Sequence, residues 1–220
     1  MGILSRLAGR GHASVPGWEM LERNWRDVEF CVVDLEATGL HLQRDEIVSY
    51  GAVIVRGGRM VVNTRLYGLV RPSRPVSEAA LLVHALTSAE LVDAPGLDAC
   101  ADALAEALRG RVLVAHAAWI ERAFIGRAFA TRRLRLDGPV VDTAALAREL
   151  HLAPRRAGST EPALEQLALD LGLPVHTPHH ALGDALTTAE LLLAFATRLE
   201  AAGPVTVRSL AEITQRRGLY

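Results

Sequence analysis

From residue 28 onward, the hydrophobic positions fall into blocks with two different periods. Residues 47–56 and 60–70 are rich in β-branched side chains and are separated by Gly57-Gly58, the pattern of two antiparallel strands joined by a tight turn. The run at 32–40, VVDLEATGL, reads as a strand that ends in a Thr-Gly turn, so the first three strands form a meander. Pro72 and Pro75 close it. Residues 76–92 are helical in pattern but short and interrupted, and 97–108 carry alanine and leucine at helical spacing up to Gly110. The second half alternates: strand 112–115, helix 118–130, strand 140–141, helix 143–150. Strands separated by helices imply parallel crossovers. A loop with Pro154, Arg155, Arg156 and Gly158 then leads to a helix at 161–171, a long amphipathic helix at 181–199 and a last segment at 207–216. The expected fold is α/β, a mixed sheet with helices packed on it.

Residues 1–26 lack a sustained period and read as an N-terminal extension with a short helical stretch at 18–25. Residues 27–202 form the domain, and 203–220 a helical tail. A chain of 220 residues, half of them hydrophobic, can bury a full core without staples. The net charge of -1 gives no global attraction to nucleic acid, so a polyanion site has to be local. All 24 basic residues are arginine. Cys31 and Cys100 show neither metal-ligand spacing nor a disulfide framework, and read as buried small hydrophobes in a reducing compartment. No apolar run approaches a membrane span, and the first residues lack a signal-peptide core; the expected location is cytoplasmic, with no membrane partner.

The chemistry gathers at the end of the first strand. A side-chain period of two puts Asp34 and Glu36 on one face and Val33 and Leu35 on the other. Two like charges on a nearly apolar strand are either solvated at an exposed edge or answered by a strong counter-charge, a divalent metal being the obvious one. Glu121 lies one turn into the helix after strand 112–115, behind His116, near the carboxyl end of a strand where α/β sites form. Asp184 sits on or beside a face carrying Ala181, Ala185 and Ala189, which suggests close approach to another element. If the four acids converge, two Mg²⁺ or Mn²⁺ ions would neutralise them, the arithmetic of two-metal phosphoryl transfer. His176, His179 and His180 offer a base of suitable pKa.

These residues resemble the DEDD superfamily of 3′→5′ exonucleases, in its His-containing branch with the epsilon subunit of bacterial replicative polymerase. Asp34, Glu36, Thr38 and Gly39 match the first motif, His179 and Asp184 the third, and Pro72, His84 and Thr87 an intervening segment. The second motif departs: His116 is kept, Ala117 and Ile120 replace an asparagine and an aromatic, and Glu121 replaces an aspartate. The resemblance implies a ribonuclease H-like five-stranded sheet with strand 2 antiparallel. It implies that Asp34, Glu36 and Asp184 hold metals with Glu121 assisting, and that His179 is the general base. Thr38, Gly39, Leu40 and His116 would border the substrate. On helical geometry alone, His180 is the better neighbour of Asp184, four residues away, if the helix already runs through residue 179. The implied substrate is the 3′ end of single-stranded nucleic acid, DNA favoured over RNA, with a polymerase or repair assembly as a possible partner. An exoribonuclease and a non-catalytic module are the alternatives. Arg132, Arg133, Arg135, Arg155 and Arg156 are candidates for the strand path or plain surface charge.

Overall fold

The computed structural model describes residues 20–152 and 162–218. Three antiparallel strands open the fold, β1 (Glu29–Ala37), β2 (Ile47–Arg56) and β3 (Arg59–Leu69). The β2–β3 turn has positive φ at both Gly57 (60°) and Gly58 (71°), as a two-residue hairpin of this hand requires. Three helices follow, α1 (Glu78–His84), α2 (Ser88–Leu91) and α3 (Leu97–Leu108). Then come β4 (Val112–Ala115), α4 (Trp119–Thr131), β5 (Val140–Asp142) and α5 (Thr143–Glu149). After 153–161, α6 (Leu164–Asp170), α7 (Ala181–Glu200) and α8 (Val207–Arg217) complete the order.

The sheet runs β3-β2-β1-β4-β5. β2 is antiparallel to both neighbours, and β1, β4 and β5 are parallel. This is the ribonuclease H-like mixed sheet that the sequence resemblance implied. Alternation along the strands sorts the core into two layers. Phe30, Val32, Val53, Val55 and Val114 face α5 to α8 through Leu146, Leu192, Phe195 and Leu210. Cys31, Val33, Ile54 and Leu113 face α3 and α4 through Leu104, Leu108, Phe124 and Phe129. β1 is therefore an inner strand covered on both sides, which removes the reading of its acids as solvated edge charges.

The two ends of the described chain close on each other. Trp25, 1% exposed, shares the first core layer with Phe195, and its backbone N–H donates to the Val205 carbonyl (3.1 Å). Asn24 bridges to Thr206, and Arg26 pairs with Glu200 at 2.7 Å. A division at 26/27 thus cuts a short 3-10 turn (Trp25–Asp27), and the tail after residue 203 packs into the same body. Residues 1–19 of the expected extension lie outside the described residues. Among the described residues, no helix is long and apolar enough to cross a membrane.

Candidate active site

β1 carries Asp34 and Glu36 on the face that α7 covers. What lets α7 come down onto the sheet is Gly51, the β2 partner of Asp34: a Cβ there would collide with the backbone of Ala181 and Leu182. Ala181, Ala185 and Ala189 are fully buried along the contact, which accounts for the small-residue face on which Asp184 rides. Gly183 completes the seat, since a Cβ would strike the carbonyls of His176 and Thr177. One carboxylate oxygen each from Asp34, Glu36 and Asp184 lies within 4.8 Å of the others.

Glu121, in the first turn of α4, is 4% exposed, and its Oε2 has no hydrogen-bond partner. It stands outside the tight trio but close enough to act on it. The Asp34 carboxyl is pushed well above its ordinary value by burial first, then by repulsion from Glu121, Asp184 and Glu36. Burial, with Asp184 second, lifts Glu36 to about 8. Asp184 rises to about 6 through burial and Glu165, opposed by His179. Glu121 is raised by burial and by Asp142 and Glu36, against the pull of its own backbone amide. Each ionised pair at such range repels by about 4 kcal/mol at an effective dielectric of about 20. Cations remove that repulsion. The residues fit a hard divalent ion: the donors are all carboxylate oxygens, and Asp184 Oδ1, like Glu121 Oε2, is buried without a partner.

The histidines separate cleanly. α7 begins only at Ala181, so the condition under which His180 would share a helical face with Asp184 is not met. His180 is instead the N-cap: its Nδ1 accepts from the Gly183 N–H at 3.4 Å, and its ring stacks on Tyr67 with centroids 4.4 Å apart. His179 has φ 58°, and its backbone N–H donates to Asp184 Oδ2 at 3.0 Å. Its side chain is 52% exposed, with Nε2 3.8 Å from Glu165 Oε1.

The remaining expected residues have mixed placements. Thr38 is buried and donates to Asp45 Oδ1 (3.0 Å) while accepting from the Glu46 N–H (3.1 Å). Gly39 leaves room for Asp45, whose Oδ2 would lie 2.5 Å from a Cβ. The Thr-Gly pair therefore closes the β1–β2 loop. Leu40, 78% exposed, lines an apolar cleft of about 360 Å³ shared with Glu36, Val83, His84, Ile120 and Phe124. His116 points its chemistry into the protein. Its Nε2 donates to the Pro162 carbonyl (2.7 Å), and its Nδ1 lies 2.9 Å from Thr143 Oγ1. Ala117 follows with φ 58°, and its N–H donates to Asp142 Oδ1 (3.1 Å), the buried N-cap of α5. Together they fasten the turn that aims Glu121.

Arg132 pairs with Asp98 and Asp102, and Arg135 with Asp137; these ion pairs take up two of the arginines considered for a strand path. Arg155 and Arg156 lie outside the described residues. Glu165 and Tyr67 were not singled out from the sequence. Glu165 reads there as one more polar residue of an amphipathic helix, Tyr67 as one more strand aromatic, and no spacing links either to the motif at 179–184.

A three-layer α/β/α body with half-buried carboxylates at the carboxyl end of its central strand, met by buried ones from two helices, is that of a nuclease of the ribonuclease H-like class. The chain belongs to the exonuclease family, whose model (RNase_T) matches residues 31–192. It is 32% identical over 213 residues to a DNA polymerase III subunit epsilon-like protein of Rhodobacter capsulatus, covering 96% of this chain but 29% of that one. To DNA polymerase III subunit epsilon of Treponema pallidum it is 31% identical over 165 residues, 74% of each chain. It spans 12% of the PolC-type DNA polymerase III of Thermotoga maritima. Among solved structures, Exonuclease X in complex with 5′ overhanging duplex DNA matches at TM-score 0.63 and 28% identity, covering 84% of this chain and 99% of that one. Escherichia coli Exonuclease I with a dT13 oligonucleotide matches at TM-score 0.70 and 15% identity over 80% and 42%, a likeness of fold. Membership of the His-containing DEDD branch, read from three ordered motifs, is borne out.

Proposed function

We propose that this chain removes nucleoside monophosphates from the 3′ end of single-stranded nucleic acid, with DNA preferred over RNA. The observation that carries the reading is the meeting of Asp34, Glu36 and Asp184 within 4.8 Å, with His179 bonded to Asp184 beside them. Two divalent cations, Mg²⁺ or Mn²⁺, would be held by these acids with Glu121 assisting, and would supply charge neutralisation and polarisation of the scissile phosphate. The half-exposed His179 ring accepts the proton of the attacking water, and Glu165 stabilises the imidazolium that results. The apolar cleft beside Glu36 takes the terminal nucleoside against Leu40, Ile120 and Phe124. His116 contributes from behind, by holding α6 and the α4 turn in place.

DNA is favoured because Exonuclease X, 28% identical over 84% of this chain, was solved on DNA. The epsilon and PolC relatives support a polymerase as partner. Two free, buried cysteines fit a reducing cytoplasm. The test is digestion of matched 5′-labelled DNA and RNA 20-mers with Mn²⁺, with Mg²⁺ and with EDTA. A metal-dependent ladder shortening from the 3′ end, faster on DNA, is expected. Faster loss of the RNA would overturn the substrate preference, and no product from either oligonucleotide would overturn the reading.

A further inference from the structure

Asp34 on β1, Gly51 on β2 and Tyr67 on β3 are successive register partners, so one row of the sheet presents an acid, a bare backbone and an aromatic ring. Directly opposed residues of antiparallel strands share a face, and strands lie ~4.8 Å apart, which puts Tyr67 roughly 10 Å from Asp34. The first turn of α7 fills the space over Gly51. On its far side, the His180 ring lies on Tyr67 at 4.4 Å and 22°.

The turn that this stack borders is strained. Thr177 and His179 have φ of 24° and 58°, conformations that persist only where surroundings over-determine them. Besides the stack and the 3.8 Å approach of His179 to Glu165 on α6, the turn is held by His179 N–H to Asp184 Oδ2 (3.0 Å), His176 N–H to Thr187 Oγ1 (3.0 Å), Asp184 N–H to the His180 carbonyl (2.9 Å) and the long cap from Gly183 to His180 (3.4 Å). The four hydrogen bonds fix it to α7 and the Glu165 contact ties it to α6. Tyr67 alone among these groups belongs to the sheet, and so registers the turn against the strand that carries Asp34 and Glu36.

We propose that Tyr67 is a positioning residue for the hydrolysis: by stacking on His180 it sets where the His179 ring stands relative to the acids on β1. The proposal rests on the nuclease reading above for its effect on turnover. Loss of the stack lets the turn shift by a fraction of an ångström to an ångström, and displacements of that size cost turnover rather than substrate affinity.

The test compares Tyr67→Leu, which keeps bulk but loses the ring face, with Tyr67→Phe, which keeps the ring. In steady-state digestion of a 5′-labelled single-stranded DNA with Mn²⁺, Tyr67→Leu should lower kcat about tenfold with KM within about twofold. Tyr67→Phe should stay within about twofold of wild type in both. Unchanged kcat in Tyr67→Leu, a rise in KM alone, or an equal loss in Tyr67→Phe would overturn the proposal. A second arm is independent of catalysis. In the imidazole carbon-proton spectrum, ring-current shifts of His180 should collapse in Tyr67→Leu, and the His179 signals should move with them. His179 signals that stay in place defeat the proposal even if the wild type cleaves nothing, whereas an inactive wild type with mobile His179 signals defeats only the nuclease reading.

Discussion

Asp34 and Glu36 sit on β1, paired to β2 along its length, whereas His179 sits on a turn whose backbone is in the left-handed region. The strand-borne half is relaxed in conformation and strained in charge. The turn-borne half is the reverse. Positive φ at non-glycine residues sorts the same way. Ala85, Arg133 and His151 each follow a helix end, where a left-handed residue is an ordinary terminator. Ala117, Thr177 and His179 instead precede α4 and α7, the two helices that bring Glu121 and Asp184 to the acids. The molecule thus carries its strand-borne acids on extended backbone and places left-handed residues just before the two helices that bring the other acids to them. The two kinds of strain answer to different perturbations.

The severest break belongs to the rigid half. Asp34→Ala should lower mononucleotide release by about 10³-fold or more, because it removes one of the three acids that meet within 4.8 Å. Its melting temperature in EDTA should equal or exceed wild type, since repulsion is relieved. Full activity in the purified variant would end the metal assignment.

On the turn, His179→Ala should cost turnover about 10²-fold and His180→Ala about tenfold, measured as single-turnover rates. The opposite ranking would mean that the ring stacked on Tyr67 is the base. Glu121 lies between the two halves: strand-end placement, helix-borne side chain, one methylene longer than its family counterpart. Mn²⁺ should support faster hydrolysis than Mg²⁺, and Glu121→Gln should lose about 10-fold to 100-fold with either ion. Wild-type turnover in Glu121→Gln would leave three carboxylates to hold the metals.

Charge strain also predicts a pH dependence without metal. Glu36 is raised to about 8 and Asp184 to about 6 in the folded state, above their unfolded values. Groups raised in this sense stabilise the fold when protonated, so their contribution is full below about pH 4 and is lost as pH rises through 6 and then 8. In EDTA the melting temperature should fall by about 3–6 °C between pH 5 and 8.5, the scale of 1–2 kcal/mol in a domain this size. Millimolar Mn²⁺ should abolish that fall. A flat profile in EDTA would show that the acids are better solvated than their burial implies. The smallest effect tests conformational strain: Ala117→Gly relieves a left-handed alanine and should raise the melting temperature by about 1–2 °C. No gain would mean that the Ala117 to Asp142 bond leaves no strain to release.

Much of the fold was legible because two-residue and helical periods were clean, and Gly57-Gly58 marked the hairpin without ambiguity. β1 begins earlier than the 32–40 run, at Glu29, where Glu29 and Phe30 pair with Arg56 and Val55 and continue the alternation of Val28, Phe30 and Val32. Trp25 read as part of an extension because its partner, Val205, lies at the other end of the chain. In the site, Asp34 and Glu36 declared themselves by period, and Asp184 by its alanine stripe. His116 looked available to substrate in sequence, but its hydrogen-bond partners, Pro162 and Thr143, are supplied by later elements. Glu165 and Tyr67 were illegible for the same reason: each meets the 179–180 turn only after α6 and β3 have packed.

Gly51 gives this architecture a direction in which it can age. A carboxylate can reach an ion from more than one rotamer, which gives an acidic position some latitude. Position 51 has no such latitude. A single methyl there would wedge the first turn of α7 off the sheet and carry Asp184 and His179 away together. The meeting of the acids can therefore be undone in one step by the smallest side chain, placed where no chemistry occurs.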